Sequence, residues 1–275
     1  MGHGEPMLQL RVCEQTVSVA CVDRTLASYV SRTFGALGVP RQDGERVTEV
    51  YRISRPVPDG SVIVETSTSR TALDNVSSVL FHLDKHLITR LQHERPDLYF
   101  LHGAAIAIKG RAALVIAPSG SGKSTLAFTL VQRGVMYLSD ELVPVDVDQN
   151  IVYPYPRAIC LKSPPSKPYQ LPAGTVRCGS LRYVPTSTGF MGSTPIPIGA
   201  LFFLDRTAPA HPCEPMTRAS AVAHLIANSL NSLAHQQWGV DAAFTLAARV
   251  PCFALNSTHL EDACDAVIAV MNHGD

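Results

Sequence analysis

The chain has 275 residues, 46% hydrophobic and 17% charged, so it can bury a core and is not disordered. Its 23 basic and 23 acidic residues cancel, which leaves no basic field for nucleic acid or an anionic membrane; neither is expected as a partner. Seven cysteines, odd in number and never spaced as C-x-x-C, read as reduced and mostly buried thiols rather than a disulfide framework or a zinc site.

The N-terminal Met1-Gly2-His3-Gly4-Glu5-Pro6 lacks a charged-then-apolar leader, and no run of about 18 apolar residues follows anywhere, so a cytoplasmic protein is expected. Leu8–Val12, Val17–Val22 and Ser61–Glu65 read as strands. Thr25 to Leu37 reads as a helix with Leu26, Tyr29, Val30 and Phe34 on one face, closed by Gly38. From Ala72 to Gln92, Leu73, Val76, Val79, Leu80, Leu83, Leu87 and Leu91 recur at helical spacing and belong to a core. Arg95-Pro96-Asp97 breaks that helix, giving a small α+β unit over 1–95 and a larger domain over 96–275.

Tyr99–Ile108 and Ala112–Ile116 are apolar runs around Lys109-Gly110-Arg111, a hairpin whose second strand feeds Ala117-Pro118-Ser119-Gly120-Ser121-Gly122-Lys123-Ser124-Thr125. The apolar Leu126–Val131 then reads as helix. Strand, glycine loop and helix start are the context of a phosphate-binding P-loop. Backbone N–H groups of Ser119, Gly120, Ser121, Gly122 and Thr125 would meet phosphate oxygens, aided by the helix dipole. Lys123 would bridge the β- and γ-phosphates and the Ser124 hydroxyl would ligate Mg²⁺. Ala117 stands where the first glycine of the consensus belongs, a mild obstacle. The pattern predicts binding of a nucleoside triphosphate.

Arg133-Gly134 closes the loop helix, and the strand Val135–Leu138 leads into Ser139-Asp140-Glu141, two carboxylates where ligands bind in open α/β sheets. A helix N-cap at Ser139 or Asp140 is the structural alternative. Between Pro154 and Pro215 fall 12 of the 20 prolines, favouring extended segments and loops. Pro156–Lys162 is a short strand there with two cations, and Gly199–Arg206 a buried strand. A helix over about 218–235, a strand near Phe253 and a helix over about 260–271 complete the chain. Leu201-Phe202-Phe203-Leu204-Asp205 also has the look of a Walker-B strand, so Asp205 is a second choice to Asp140 as metal anchor.

No N-K-x-D element follows, which disfavours a GTPase, and no L-S-G-G-Q, which disfavours a transporter ATPase. His102 lies about twenty residues before Lys123 and the acidic pair about seventeen after it. With Leu101-His102-Gly103-Ala104-Ala105, Arg133-Gly134, Leu138–Leu142 and Pro156–Lys162, this order resembles the HPr kinase/phosphorylase family, and more closely the bacterial kinases related to it. The resemblance spans roughly Phe100 to Ser163. It implies an α/β P-loop kinase core of phosphoenolpyruvate-carboxykinase type with a mixed sheet, ATP and Mg²⁺ as cofactors, Asp140 as general base, and Glu141 beside Asp140 and Ser124 at the metal. The family pattern has Asp-Asp, so Glu141 departs from it. By the same resemblance His102 sits near the phosphoryl group or base, and Arg157 and Lys162 supply cations. Residue chemistry alone leaves His102 open between a core histidine and a site residue, and Arg157 between a surface cation and a catalytic one.

The expected activity is phosphorylation of a hydroxyl, foremost a serine of a peptide or small protein. Related kinases modify HPr, the C-terminal residue of lasso-peptide precursors, or free serine. A small-metabolite kinase and a nucleotide-binding regulatory module are the alternatives; the acidic pair weighs against the latter, since binding alone needs no base. A homo-oligomer stays open.

Overall fold

The structure, a computed structural model, describes residues 7–41, 44–57, 60–186, 194–205, 212–256 and 258–273. The N-terminal hexapeptide and Arg206, both read above from sequence, lie outside them. Contacts divide the chain into two compact units: Met1–Glu94 with Arg157–Thr186, and Arg95–Pro156 with Ser187–Asp275. A single cut at residue 95 therefore marks one boundary, and the segment 157–186 packs with the N-terminal residues.

The first unit opens with β1 (Met7–Val12) and β2 (Gln15–Cys21), an antiparallel pair. Helix α1 (Arg24–Phe34) crosses from β2 to the parallel β3 (Val47–Ser54). Its start is set by Asp23, whose Oδ1 accepts the N–H of Thr25 at 2.7 Å and of Leu26 at 3.0 Å. Leu26, Val30 and Phe34 bury its apolar face. The helix stops at Phe34, and Gly35–Leu37 tightens into a 3₁₀ turn, so the expected helix to Leu37 was two structures run together. β4 (Val62–Glu65) and β5 (Arg70–Leu73) complete a five-stranded sheet, ordered β1-β2-β3-β4-β5. The strand β5 takes Ala72 and Leu73 from the expected helix, and α2 (Val76–Glu94) begins where Asn75 Oδ1 accepts the Ser78 N–H at 2.9 Å. Its leucines 80, 83, 87 and 91 are buried, as their spacing predicts.

The second unit begins with β6 (Tyr99–Ile108) and β7 (Arg111–Ile116), the expected hairpin. Lys109 and Gly110 both have positive φ (49° and 75°), the backbone of a two-residue turn that matches strand twist. After the loop comes α3 (Lys123–Gln132), then β8 (Met136–Ser139), β9 (Leu142–Asp146) and β10 (Ile151–Val152). The chain then contributes β11 (Ile159–Leu161), β12 (Val176–Cys178) and β13 (Leu181–Val184) to the first unit, as a small antiparallel sheet ordered β11-β13-β12.

It returns with β14 (Ile196–Asp205) and β15 (Cys213–Pro215), then α4 (Arg218–Ala227), α5 (Val240–Arg249), β16 (Cys252–Asn256) and α6 (Leu260–His273). The larger sheet runs β10-β9-β6-β7-β14-β16-β15, with β8 on β6. β14 is parallel to β7 and β16, and the other pairings are antiparallel, so the sheet is mixed. Strand alternation splits the core. Leu114, Leu201 and Phe203 pack with Leu225 of α4 and Leu246 of α5 on one face, and Val115, Phe202 and Leu204 with Leu126 of α3 and Val267 of α6 on the other. The α/β class with a mixed sheet, and a small α+β unit ahead of it, stands as the sequence predicts. The helix expected over 218–235 ends at Ala227, where Asn228 caps it, and α5, with Val240, Ala243, Phe244 and Ala247 at helical spacing, is an element the sequence reading does not include. All seven cysteines are free thiols; burial pushes Cys264 up to about 12, and Cys21, Cys213 and Cys252 up to about 11.

Candidate active site

The loop 117–122 leaves the end of β7 and turns into α3 through Gly122, whose φ of 102° is open to glycine at little cost. α3 begins at this turn with no side-chain cap, and the first N–H groups of a helix find no partner within it. Lys123, 5% exposed, folds back so that Nζ donates to the carbonyls of Ala117 (2.6 Å) and Pro118 (2.9 Å). Ser121 Oγ also donates to the Pro118 carbonyl, at 2.7 Å. The loop thus encloses an ammonium group. Ser119 and Gly120 are exposed, Ser121, Gly122, Ser124 and Thr125 half-buried.

The acidic pair is brought to this loop by the pairing of β6. β8 pairs with residues 105–107 of β6 and β9 with residues 99–102 on the same edge, so Asp140 and Glu141 fill the break between them. At that break Gly103 N–H donates to the Glu141 carbonyl at 3.3 Å, and on its other edge Gly103 pairs with Ile116, the last residue before the loop. One strand separates the acids from the phosphate loop. Gly103 is required by space: a Cβ there would lie 2.8 Å from Ile116 Cδ1 and 3.0 Å from the Val115 carbonyl oxygen.

Asp140 is 1% exposed, and the hydroxyl of the fully buried Tyr137 donates to its Oδ1 at 2.9 Å, which orients the carboxylate. Glu141 is half-buried, with Oε2 3.9 Å from Nε2 of His102, an ionic approach when the imidazole is protonated. The His102 N–H donates to the Asn228 carbonyl at 2.8 Å. Lys123, Ser124, His102, Asp140 and Glu141 therefore all belong to one unit and border one end of β6 and β7.

Arg157 and Lys162 belong to the first unit. Arg157 is 2% exposed, with Nε 3.1 Å from Asp84 Oδ1 and Nη1 donating to the Ala158 carbonyl at 2.7 Å; it is not a surface cation. Lys162 is exposed, its carbonyl accepting from Arg182 at 3.4 Å. Asp205 is exposed at the end of β14, two residues past Phe203, which pairs with Ile116. Alternation along β14 places it with Leu201 and Phe203, on the α4–α5 face, whereas the loop helix α3 covers the opposite face.

Sequence reading missed Tyr137 as a partner of Asp140, since residues three apart in a strand do not meet; they do so here because the chain turns after Ser139. It also missed the pairing of 228–230 with β6, which carries no motif.

The donor set suits Mg²⁺: a hydroxyl and carboxylates are hard oxygen ligands, and Mg²⁺ in phosphotransfer sites takes one or two carboxylates plus phosphates. Among the described residues no group of three His, Cys, Asp or Glu gathers to hold a metal, and such a site needs none. Among them, too, no helix is long and apolar enough to cross a membrane.

No family model matches the chain. It is 33% identical over 148 residues to the HPr kinase/phosphorylase of Lactobacillus acidophilus, covering 49% of this chain and 43% of that protein. To the HPr kinase/phosphorylase of Lactobacillus johnsonii it is 30% identical over 123 residues, covering 42% and 34%. The solved Hpr(Ser) kinase/phosphatase of Coxiella burnetii is 14% identical with a TM-score of 0.35, covering 63% of this chain and 88% of that one. The chain spans less than half the length of the curated relatives it matches. Sequence similarity to HPr kinase/phosphorylases thus reaches beyond the short motifs that first suggested it.

Proposed function

We propose that the chain is an ATP-dependent phosphotransferase of HPr-kinase type that moves the γ-phosphoryl group to a hydroxyl, foremost a serine of a peptide or small protein. One observation carries this reading: a buried carboxylate, Asp140, stands one strand from a glycine loop that encloses Lys123. Phosphoryl transfer asks for positioning and charge compensation more than covalent help, and this corner offers both. The corner belongs to the unit of Arg95–Pro156 with Ser187–Asp275.

In this reading the loop N–H groups and Lys123 hold the β- and γ-phosphates, with Ser119 to Thr125 around them. Ser124, Asp140 and Glu141 would hold Mg²⁺, which supplies positive charge to the phosphates when bound. Asp140 accepts the proton of the acceptor hydroxyl as its oxygen attacks phosphorus, the bond from phosphorus to the leaving diphosphate oxygen breaks, and Tyr137 keeps the carboxylate aimed. His102, through Glu141, borders the same corner. The charge-compensating role of Arg157 and Lys162 comes from the resemblance alone, and both residues belong to the other unit. The matched HPr kinase/phosphorylases and the buried acid together support a protein acceptor over a role in nucleotide binding alone.

Asp140→Asn keeps shape but cannot take a proton at neutral pH; kcat should fall at least about 100-fold while ATP still binds. Asp205→Asn should stay near wild type. Steady-state kinetics of the two variants decides: loss with Asp205→Asn and none with Asp140→Asn would overturn the assignment.

A further inference from the structure

β15, α4, α5 and β16 meet around an open cleft of about 450 Å³, a volume in the range of small-molecule sites. Short hydrogen bonds along the chain build it. Pro215, the last residue of β15, pairs with Phe253, and Met216 N–H donates to the Cys252 carbonyl at 2.8 Å. Thr217 then caps α4, its Oγ1 accepting the Ser220 N–H at 3.3 Å, so Arg218 stands in the first turn. α5 ends at Arg249, and Val250-Pro251 leads into β16, with the Pro251 carbonyl accepting the Leu201 N–H at 3.0 Å. The start of one helix and the end of the next are thereby held at the first residues of β16.

The walls divide by chemistry. Met216, Val250 and Phe253 give an apolar side, and the Phe253 ring is fixed by stacking on Phe202, 5.6 Å between centroids. Arg218 and Arg249 give a charged side. No Asp or Glu lines the cleft: Glu214, which precedes Pro215, and Asp148, whose carbonyl Arg249 meets, both lie outside the lining. Arg249 is partly committed, its Nη1 donating to the carbonyls of Val147 at 2.6 Å and Asp148 at 2.5 Å. Among the described residues the Arg218 guanidinium makes no ion pair and no hydrogen bond. Its charge is nonetheless felt at the cleft: burial pushes the Cys252 thiol up to about 11, and Arg218 draws it the other way.

This cleft is apart from the candidate active site. In the sheet order β6-β7-β14-β16-β15, β14 stands between β16 and the strand that feeds the phosphate loop, and the acids lie beyond β7 along β6. Phosphoryl transfer at the corner makes no use of Arg218, Arg249 or Met216.

We propose that the cleft binds a small organic carboxylate with an apolar body, its head on Arg218 and its body against Met216, Val250 and Phe253. A guanidinium fork matches a carboxylate bidentately, and one uncommitted fork suits a head of single charge. The Arg249 charge adds to the field, with no acid in the lining to oppose it. An anion without an apolar part would leave the Phe253 side unfilled, and a neutral apolar molecule would forgo the guanidinium. The proposal does not depend on the kinase reading.

The probe is hydrocinnamate, titrated into the full chain and followed by ligand-observed NMR, beside its neutral amide, acetate and benzyl phosphate. Hydrocinnamate should bind saturably, with the amide and acetate at least about tenfold weaker, the scale of one lost charge-assisted hydrogen bond or apolar anchor. Arg218→Gln, at an exposed position, should weaken hydrocinnamate by a similar factor and leave the thermal midpoint of the unliganded chain unchanged. Cys252 supplies a second readout. Bound hydrocinnamate should slow its alkylation, followed by peptide mass spectrometry, and leave Cys264, buried on the α3–α6 face, reacting at its own rate. Absence of saturable binding, equal binding of the amide, tighter binding of benzyl phosphate or an Arg218→Gln variant with full affinity would overturn the proposal. So would equal slowing at both cysteines, or displacement of hydrocinnamate by ATP, which would put the ligand at the phosphate loop instead.

Discussion

Two buried charged clusters, one in each unit, differ in how they satisfy their charge. In the first unit Glu49, 5% exposed on β3, accepts from Val50 N–H (2.9 Å), Ser67 N–H (3.1 Å), Ser67 Oγ (2.8 Å) and Arg90 Nη1 (3.3 Å). Arg90 of α2 also donates to the Thr48 carbonyl, so the cluster ties helix to sheet. Burial works to raise the Glu49 carboxyl, but the hydrogen bonds from Ser67 and Val50 and the Arg90 charge prevail and hold it below the usual range. In the second unit Lys123 meets carbonyls of its own loop, and Asp140 meets a hydroxyl three residues away. Long-range partners make the first cluster a clamp. The second lies against the phosphate loop, where a phosphate and a hydroxyl would meet Lys123 and Asp140.

If that contrast holds, substitutions in the corner change turnover and substitutions in the clamp change stability. The largest effect is expected from Lys123→Ala, which removes the cation facing the phosphates. ATP turnover should fall by about 100- to 1,000-fold, as when one donor to developing charge is deleted, while the thermal midpoint moves little. Kinetics and a melting curve on the same preparation check it, and an unaltered rate would break the contrast at its centre.

Gly103→Ala tests the strand between the loop and the acids. The added methyl meets Ile116 and the Val115 carbonyl, and overpacking of this kind costs about 1–3 kcal/mol. Calorimetry should show a lowered midpoint, and turnover should fall with it because β6 spaces the acids from the loop. A stable variant with full activity would mean that the corner tolerates a displacement its geometry argues against.

Glu49→Gln tests the clamp through pH. The folded carboxyl lies below its ordinary value, so the ionised form favours folding. Its contribution is complete above roughly pH 4.3 and is lost as pH falls through the lower folded value. The midpoint of the wild-type chain should exceed that of the variant near pH 7, and the gap should close on acidification. Melting curves across pH check this; a gap constant with pH would assign the clamp's stability to shape and not to charge.

Much of the second unit was legible in the sequence because its signals are local. The hairpin, the loop and the acidic pair each rest on adjacent residues with required chemistry. The first unit was legible in its helices and less so in its strands: Glu49 takes a buried place in the alternation of β3 and masks its apolar face, and β5 is short enough that Leu73 read as helix. The destination of 157–186 was not legible at all, since Arg157 meets Asp84 across more than seventy residues of chain. The same holds for Gln237, Trp238 and Gly239, three left-handed residues of which only one is glycine, so no turn signature marks them. Asp205 shows the converse: a persuasive local pattern whose face is set by the sheet.

The smallest effect is expected from Ala117→Gly, and it separates what the loop needs from what the core needs. Ala117 occupies the position that the P-loop consensus gives to glycine, yet it is fully buried and belongs to the same apolar cluster as Leu126, Ala127 and Phe202. Its methyl is part of the packing under α3. Removing one buried methyl costs about 0.8 kcal/mol, and glycine adds backbone freedom in the unfolded chain. The variant should melt a few degrees lower and turn over ATP at the wild-type rate. A rate raised more than about tenfold, the size of a 1.4 kcal/mol barrier change, would instead mean that the methyl obstructs the phosphate. The loop would then have traded catalytic geometry for packing at its first residue.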